Sequence, residues 1–360
     1  TKAFYAQIAA GFVLACAIAD EVPGCEDGAV HRSELLAGLR ELPVAMEATL
    51  ARRATIAEAA QELAPSRRYW AIVGSGANQV AAEEIRIKLS ELCYKAIASD
   101  AIEDKKHIDL SSEPLILVCA AGLVGSNADD VAKEVAIYRA HKATPIVIAT
   151  EDEDRFNAAL RVIAVPAVRP ELAFVLTTVA GHLFGYEAAL AIDAQARGLR
   201  EARGAIEDAI SSPAIADVDR LLADLRPTFE PISARFHDGL RSGAYNGSLE
   251  AGTAVRLASM FRYATGIAPL DAYQIEHGRV GTPSVVIDDL TAALTAAIEE
   301  LTRPVDAIKH QAKTVTVGIS RSDEGLLDIA LVQAALAAGA ARDRLSYKAL
   351  RTLAGLDAAV

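Results

Sequence analysis

The sequence predicts an α/β protein: a doubly wound parallel sheet flanked by helices, followed by an α-helical C-terminal extension. Three observations carry this. Short apolar runs of strand length alternate with amphipathic stretches from Tyr69 to Ala194, and parallel neighbours require crossover connections of that kind. Apolar residues make up 52% of the 360 residues and aromatics 5%, so the cores must be built mainly from Ala, Leu, Val and Ile. Beyond Ser211 the alternation stops, and Pro and Gly separate helical segments.

Taken in order, residues 1–63 read as helices. The second has Ser33 as candidate N-cap, apolar positions at Leu35, Leu36, Leu39 and Leu42, and Pro43 behind it as a stop. Pro65-Ser66-Arg67-Arg68 breaks the pattern, and Tyr69–Val73 follows as a strand ended by Gly74-Ser75-Gly76. Gln79–Ala96 is amphipathic and helical. Leu115–Cys119 and Pro145–Ala149 are further buried strands around a helix over Ala128–His141. Arg161–Val165 makes a fourth strand, and Glu171–Ala194 a closing helix. Helices are expected over 214–226, 247–265 and 288–301, an extended run over Lys313–Val317, and Ala/Leu-rich helix to Val360. The expected divisions are 1–64, 65–210, 211–311 and 312–360.

Several classes of function are disfavoured. Asp and Glu number 48 against 36 Lys and Arg, and a net charge of −12 opposes binding to a nucleic-acid backbone. Cys16, Cys25, Cys93 and Cys119 have no zinc-type spacing, so no metal is expected and the thiols read as reduced, in a cytoplasmic protein. The apolar segment Ala3–Ala19 contains Gln7 and falls short of the ~20 residues needed to span a bilayer, so no membrane partner is expected. Thr1 in place of Met points to a chain that continues upstream.

Chemistry can sit at two places near the first strand. Gly74-Ser75-Gly76 lies between a strand and a helix, where backbone N–H groups can meet an anion or where the chain merely turns tightly. It is not a full dinucleotide fingerprint, and no acidic residue is seen at the end of a next strand. Glu84, Lys88 and Glu91, spaced four and three apart, share one face of the following helix. Such a face is either solvated surface or, at a carboxylate held beside an ammonium, a proton-transfer site. His107, after the charged loop Glu103–Lys106, reads alone as a surface histidine.

In Gly74, Gly76, Glu84, Lys88, Glu91, Tyr94 and His107, the stretch from Ile72 to His107 resembles the second sugar-isomerase (SIS) domain of the glucosamine-6-phosphate synthase family. Thr1-Lys2-Ala3-Phe4 is similar to the helix start that closes the sugar site of the family's first SIS domain. Ala312-Lys313-Thr314-Val315-Thr316-Val317 resembles the family's closing tail. The resemblance implies a SIS-type αβα sandwich and a phosphosugar substrate such as fructose 6-phosphate, with no cofactor. By the same resemblance Glu91 moves a proton between C1 and C2, with Lys88 and Glu84 beside it, His107 assists ring opening and Lys313 forms an imine with the keto sugar. Thr1, Lys2, Ala312 and the Gly74-Ser75-Gly76 loop are the implied substrate contacts. A glutaminase domain upstream or on another chain is the implied ammonia source, and the implied assembly is a homodimer whose subunits share sites.

The chain departs from that pattern in several places. His107 is followed by Ile108-Asp109 where the family has Gly-Pro, and Ala272–Gly278 looks like a second copy of the loop, making His277 a rival histidine. The family's Ser-x-Ser-Gly-x-Thr phosphate loop does not occur, and Ala120–Ser126 at the equivalent turn lacks its hydroxyls. The alternative is therefore a non-catalytic SIS module that binds phosphosugars for regulation.

Overall fold

The computed structural model describes residues 2–22, 29–107, 110–211, 218–302, 326–340 and 347–357. Thr1–Thr302 make up one compact unit and Arg303–Val360 a second. In the first unit, helices α1 (Lys2–Glu21), α2 (Ala29–Ala51) and α3 (Arg53–Leu63) precede β1 (Trp70–Gly74), α4 (Ala77–Cys93) and β2 (Ile97–Asp100). Then come β3 (Leu115–Cys119), α5 (Gly125–Ala140), β4 (Thr144–Thr150), β5 (Arg161–Val165) and α6 (Pro170–Gln195).

Among the described residues the sheet is five-stranded and wholly parallel, in the order β2-β1-β3-β4-β5. Both of its faces are buried, which is why its strands read as apolar runs rather than alternating ones. Trp70, Ile72, Leu115, Leu117, Ile146 and Ile148 enter a core shared with α1 to α4 and α6. Ala71, Val73, Ile116, Val118, Val147 and Ala149 face the other way, onto α5 through Val131, Val135 and Tyr138. α6 is the central helix of the first face and packs on α2, α3 and α4. By length and composition α1 and α6 are each apolar enough to cross a bilayer, but α6 is buried along most of its length and α1 along little of it.

The strand that sequence pattern did not show is β2. It holds the edge beside β1, and of Ile97-Ala98-Ser99-Asp100 only Ile97 is buried, so it has no apolar run to reveal it. Two helices also run past their expected stops. α2 continues through Pro43 to Ala51. A proline costs an unsupported helix roughly 3 kcal/mol, yet Leu42 and Thr49 are buried on either side of it.

Beyond α6 come α7 (Arg197–Ser211), α8 (Val218–Ser242), α9 (Ala251–Ala264), α10 (Tyr273–His277) and α11 (Pro283–Leu301), packed around a separate apolar core. α8 carries both Pro227 and Pro231, where the expected helix ended at residue 226, because Phe229, Ile232 and Phe236 anchor it in that core. α7 contributes Leu199, Ala202 and Ile206 to the same core. In the second unit, α12 (Ala330–Ala337) buries Val332 and α13 (Tyr347–Asp357) buries Leu350; the Asp357 carboxylate accepts a hydrogen bond from the Leu331 N–H at 2.7 Å.

Candidate functional site

The sheet order reverses between β1 and β3, and a crevice opens at their C-terminal ends, as the topology of open parallel sheets requires. A cavity of about 580 Å³ lies there, bordered by Ser75, Gly76, Asn78, Glu103 and Gly122. A Cβ on Gly74 would stand 2.3 Å from the Asn78 carbonyl oxygen, so only glycine lets strand and helix meet, and Gly76 turns the chain at φ +62°. Asn78 ties the crevice walls together: its amide donates to the Ala121 carbonyl at 2.9 Å and its Oδ1 accepts from Thr177 Oγ1 at 3.2 Å.

An acidic residue does end the next strand, contrary to the sequence expectation, since β2 closes on Asp100. It faces the buried Lys105 ammonium at 3.7 Å, while Glu103 accepts from Ser75 Oγ at 3.1 Å. Glu103 thus has a hydrogen-bond partner, whereas the buried Asp100 Oδ2 has the Lys105 charge nearby and no hydrogen bond.

The second place is the face of α4 turned toward α1 and α6. Lys88 Nζ lies 2.9 Å from Glu91 Oε2, and Glu91 is half-exposed, so the carboxylate is both ion-paired and open to a ligand. Glu84 is nearly buried, with Oε1 3.3 Å from His182 Nε2 on α6, close but off the alignment of a hydrogen bond. Tyr5 Oη, from α1, lies 2.9 Å from His182 Nδ1. Burial above all, and then the Lys88 charge, hold the imidazole down to about 4, whereas burial and Glu84 push the Tyr5 phenol up. A neighbouring cavity of about 360 Å³ is lined by Tyr5, Met46, Lys88, Leu92, Val179 and His182.

This cluster depends on how closely α4 and α6 approach. A Cβ on Gly181 would stand 2.3 Å from Ile85 Cδ1, and one on Gly185 2.4 Å from Leu89 Cδ1. Spaced four apart, the two glycines open one stripe of α6 to the α4 side chains and carry His182 to Glu84.

The structure does not bring all the predicted site residues together. At 1.5 Å per residue, Gly76 lies about 12 Å along α4 from Glu84 and about 22 Å from Glu91, so the glycine loop and the carboxylates face different openings. His107 ends a short turn, Lys105–His107, and its side chain, like that of Lys2, lies outside the described part of the structure. Thr1, Ala312 and Lys313 lie outside the described residues. His277 ends α10 in the helical extension, partly exposed, its ring tilted on Tyr273 at 4.3 Å between centroids and its Nε2 3.8 Å from Glu276 Oε2. Sequence reasoning passed over His182 and Tyr5. His182 could have been found as a titratable residue among the apolar positions of α6.

Over 196 residues, 53% of its length, this chain is 32% identical to the glutamine–fructose-6-phosphate aminotransferase (isomerizing) of Thermus thermophilus. The chain resembles the SIS-type isomerase portion of that enzyme. A second Thermus thermophilus strain has an aminotransferase 31% identical over the same length, and in both cases the match takes up 31% of the relative. The chain therefore spans about a third of the length of these aminotransferases. No family model matches it. Among solved structures, the C-terminal domain of the Francisella tularensis glucosamine–fructose-6-phosphate aminotransferase superposes with a TM-score of 0.40 at 17% identity, covering 44% of this chain and 45% of that one. The Escherichia coli tagatose-6-phosphate ketose/aldose isomerase gives 0.35 at 24% identity, covering 42% and 43%.

Proposed function

We propose that this chain carries isomerase chemistry on a ketose phosphate such as fructose 6-phosphate, as part of a system that makes the amino-aldose phosphate. The observation that carries this is the α4 face, where the half-exposed Glu91 carboxylate is held by the Lys88 ammonium beside a cavity. In the proposed step Lys313 condenses with the C2 carbonyl, releasing water and forming an imine. Ammonia displaces the lysine amine from C2 by transimination, regenerating Lys313; Glu91 then takes a proton from C1, the electrons moving into the C1–C2 enamine, and returns it at C2 as the C1 hydroxyl gives up its proton to become the aldehyde carbonyl. His107, with His277 as rival, would serve ring opening. Ammonia would come from a glutaminase domain upstream or on another chain, and two subunits would share sites. The buried, unpaired Cys16, Cys93 and Cys119 suit a reducing, cytoplasmic setting.

Borohydride reduction in the presence of fructose 6-phosphate tests the imine. A stable sugar adduct on Lys313, found by peptide mass mapping, is expected; an unmodified Lys313 in protein that still binds the sugar would refute it. The exposure of Glu91 also favours a second reading, a regulatory module that binds the phosphosugar without turning it over. In that case Glu91→Gln would leave affinity unchanged and there would be no turnover to lose.

A further inference from the structure

The α4 face holds an arrangement that the spacing of its charges does not explain. Glu84 and Lys88 stand four apart, carboxylate first, the order in which such pairs are most favourable on a helix. The Lys88 ammonium nevertheless lies on Glu91, at 2.9 Å, and the group facing Glu84 is the imidazole of His182. That ring is caught between two helices: Nδ1 is 2.9 Å from the Tyr5 hydroxyl and Nε2 is 3.3 Å from Glu84 Oε1, with both His182 and Glu84 nearly buried.

The two contacts select a tautomer. With the proton on Nδ1, the Nε2 lone pair would face a carboxylate oxygen in a buried site, a repulsive contact. With the proton on Nε2, an N–H is turned toward Glu84 at 3.3 Å, off hydrogen-bond alignment, and Nδ1 accepts from the Tyr5 hydroxyl, so no lone pair faces the carboxylate. The imidazolium would also pair both ways, but the ring is buried and the Lys88 ammonium opposes its charge more than Glu91 favours it; Tyr5 stays neutral.

We propose that His182 is the positioning residue of this site: its neutral Nε2–H holds the Glu84 carboxylate, which leaves the Lys88 ammonium to Glu91. This rests on the α4 face being the catalytic face. The glycines on that stripe of α6, Gly181 and Gly185, let the ring come within 3.3 Å of Glu84.

The test has two arms. Long-range ¹H–¹⁵N spectra of the 360-residue chain, with the His182 signal assigned by its loss in His182→Gln, should show the Nε2–H tautomer and no protonation between pH 7 and about 5, below the ordinary 6.5. An Nδ1–H ring, or ordinary titration, overturns the proposal. In the second arm, exchange of solvent deuterium into fructose 6-phosphate is followed. His182→Leu should lower kcat roughly 10- to 100-fold with KM within about twofold, and His182→Gln, which keeps an N–H donor, should restore most of the loss. A Leu variant as fast as wild type, or a Gln variant as slow as Leu, also overturns it. If wild type exchanges nothing, it is the catalytic assignment of α4 that fails, and the spectra still decide the tautomer.

Discussion

Gly181→Ala puts the packing of the site to a numerical test. The new methyl would lie 2.3 Å from Ile85 Cδ1, 2.6 Å from Cγ1 and 3.0 Å from Cγ2, three atoms of one β-branched side chain. Such a side chain has essentially one rotamer in a helix, so it cannot swing away. Overpacking of this kind costs up to about 3 kcal/mol, against a gain of about 1 kcal/mol for replacing a helical glycine, leaving a net loss of about 2 kcal/mol. Gly204 on α7 is the control, because nothing lies within 4 Å of where its Cβ would stand, and Gly204→Ala should gain about 1 kcal/mol. At roughly 2–4 °C per kcal/mol, the two variants should melt about 6–12 °C apart by circular dichroism, on opposite sides of wild type. Adding Ile85→Val to Gly181→Ala removes Cδ1 and should recover part of the loss. Two alanine variants with equal melting temperatures would refute the tight α4–α6 contact, and with it the reason His182 reaches Glu84.

Further outcomes follow from the buried titratable groups. His182 falls from 6.5 to about 4 on folding, so the unfolded chain takes up its proton first; stability should decline by up to about 3 kcal/mol as pH drops from 6.5 to 4, and His182→Gln should flatten that part of a urea-midpoint profile. Lys95, pushed down to about 8 by burial first and then by Arg68, donates to the Gly247 carbonyl at 2.6 Å and sits 5.3 Å over the ring of Trp70. The unfolded lysine holds its proton to about 10.5, so this group should add stability as pH rises from 8 to 10.5, with Trp70 fluorescence changing near pH 8. Lys95→Met strands the Arg67 and Gly247 carbonyls and should cost about 1–3 kcal/mol in urea denaturation at pH 7.

What the sequence disclosed follows from where each residue is buried. β1, β3 and β4 are covered on both faces and read as apolar runs, so the doubly wound sheet was legible. β2 buries Ile97 alone and was silent; with it went Asp100, whose place at the strand end becomes meaningful only once the strand is known. Pro43, Pro227 and Pro231 misled because tertiary burial of their neighbours outweighs a local penalty that a sequence shows in full. Glu84, Lys88 and Glu91 were visible as a helical face by spacing. Which of them pairs with which was not, because the deciding group, His182, comes from a helix about ninety residues later and is brought in by two glycines. Tyr5 is further still, on α1.

The most direct test of the proposed chemistry is proton exchange at the sugar. In D₂O, the chain incubated with fructose 6-phosphate should catalyse deuterium incorporation at C1 or C2, read by ¹H NMR, and Glu91→Gln should slow it about 100-fold or more while binding of the sugar persists. Incorporation by Glu91→Gln at the wild-type rate, or none by wild-type protein that binds the sugar, would contradict the assignment of α4 as the catalytic face.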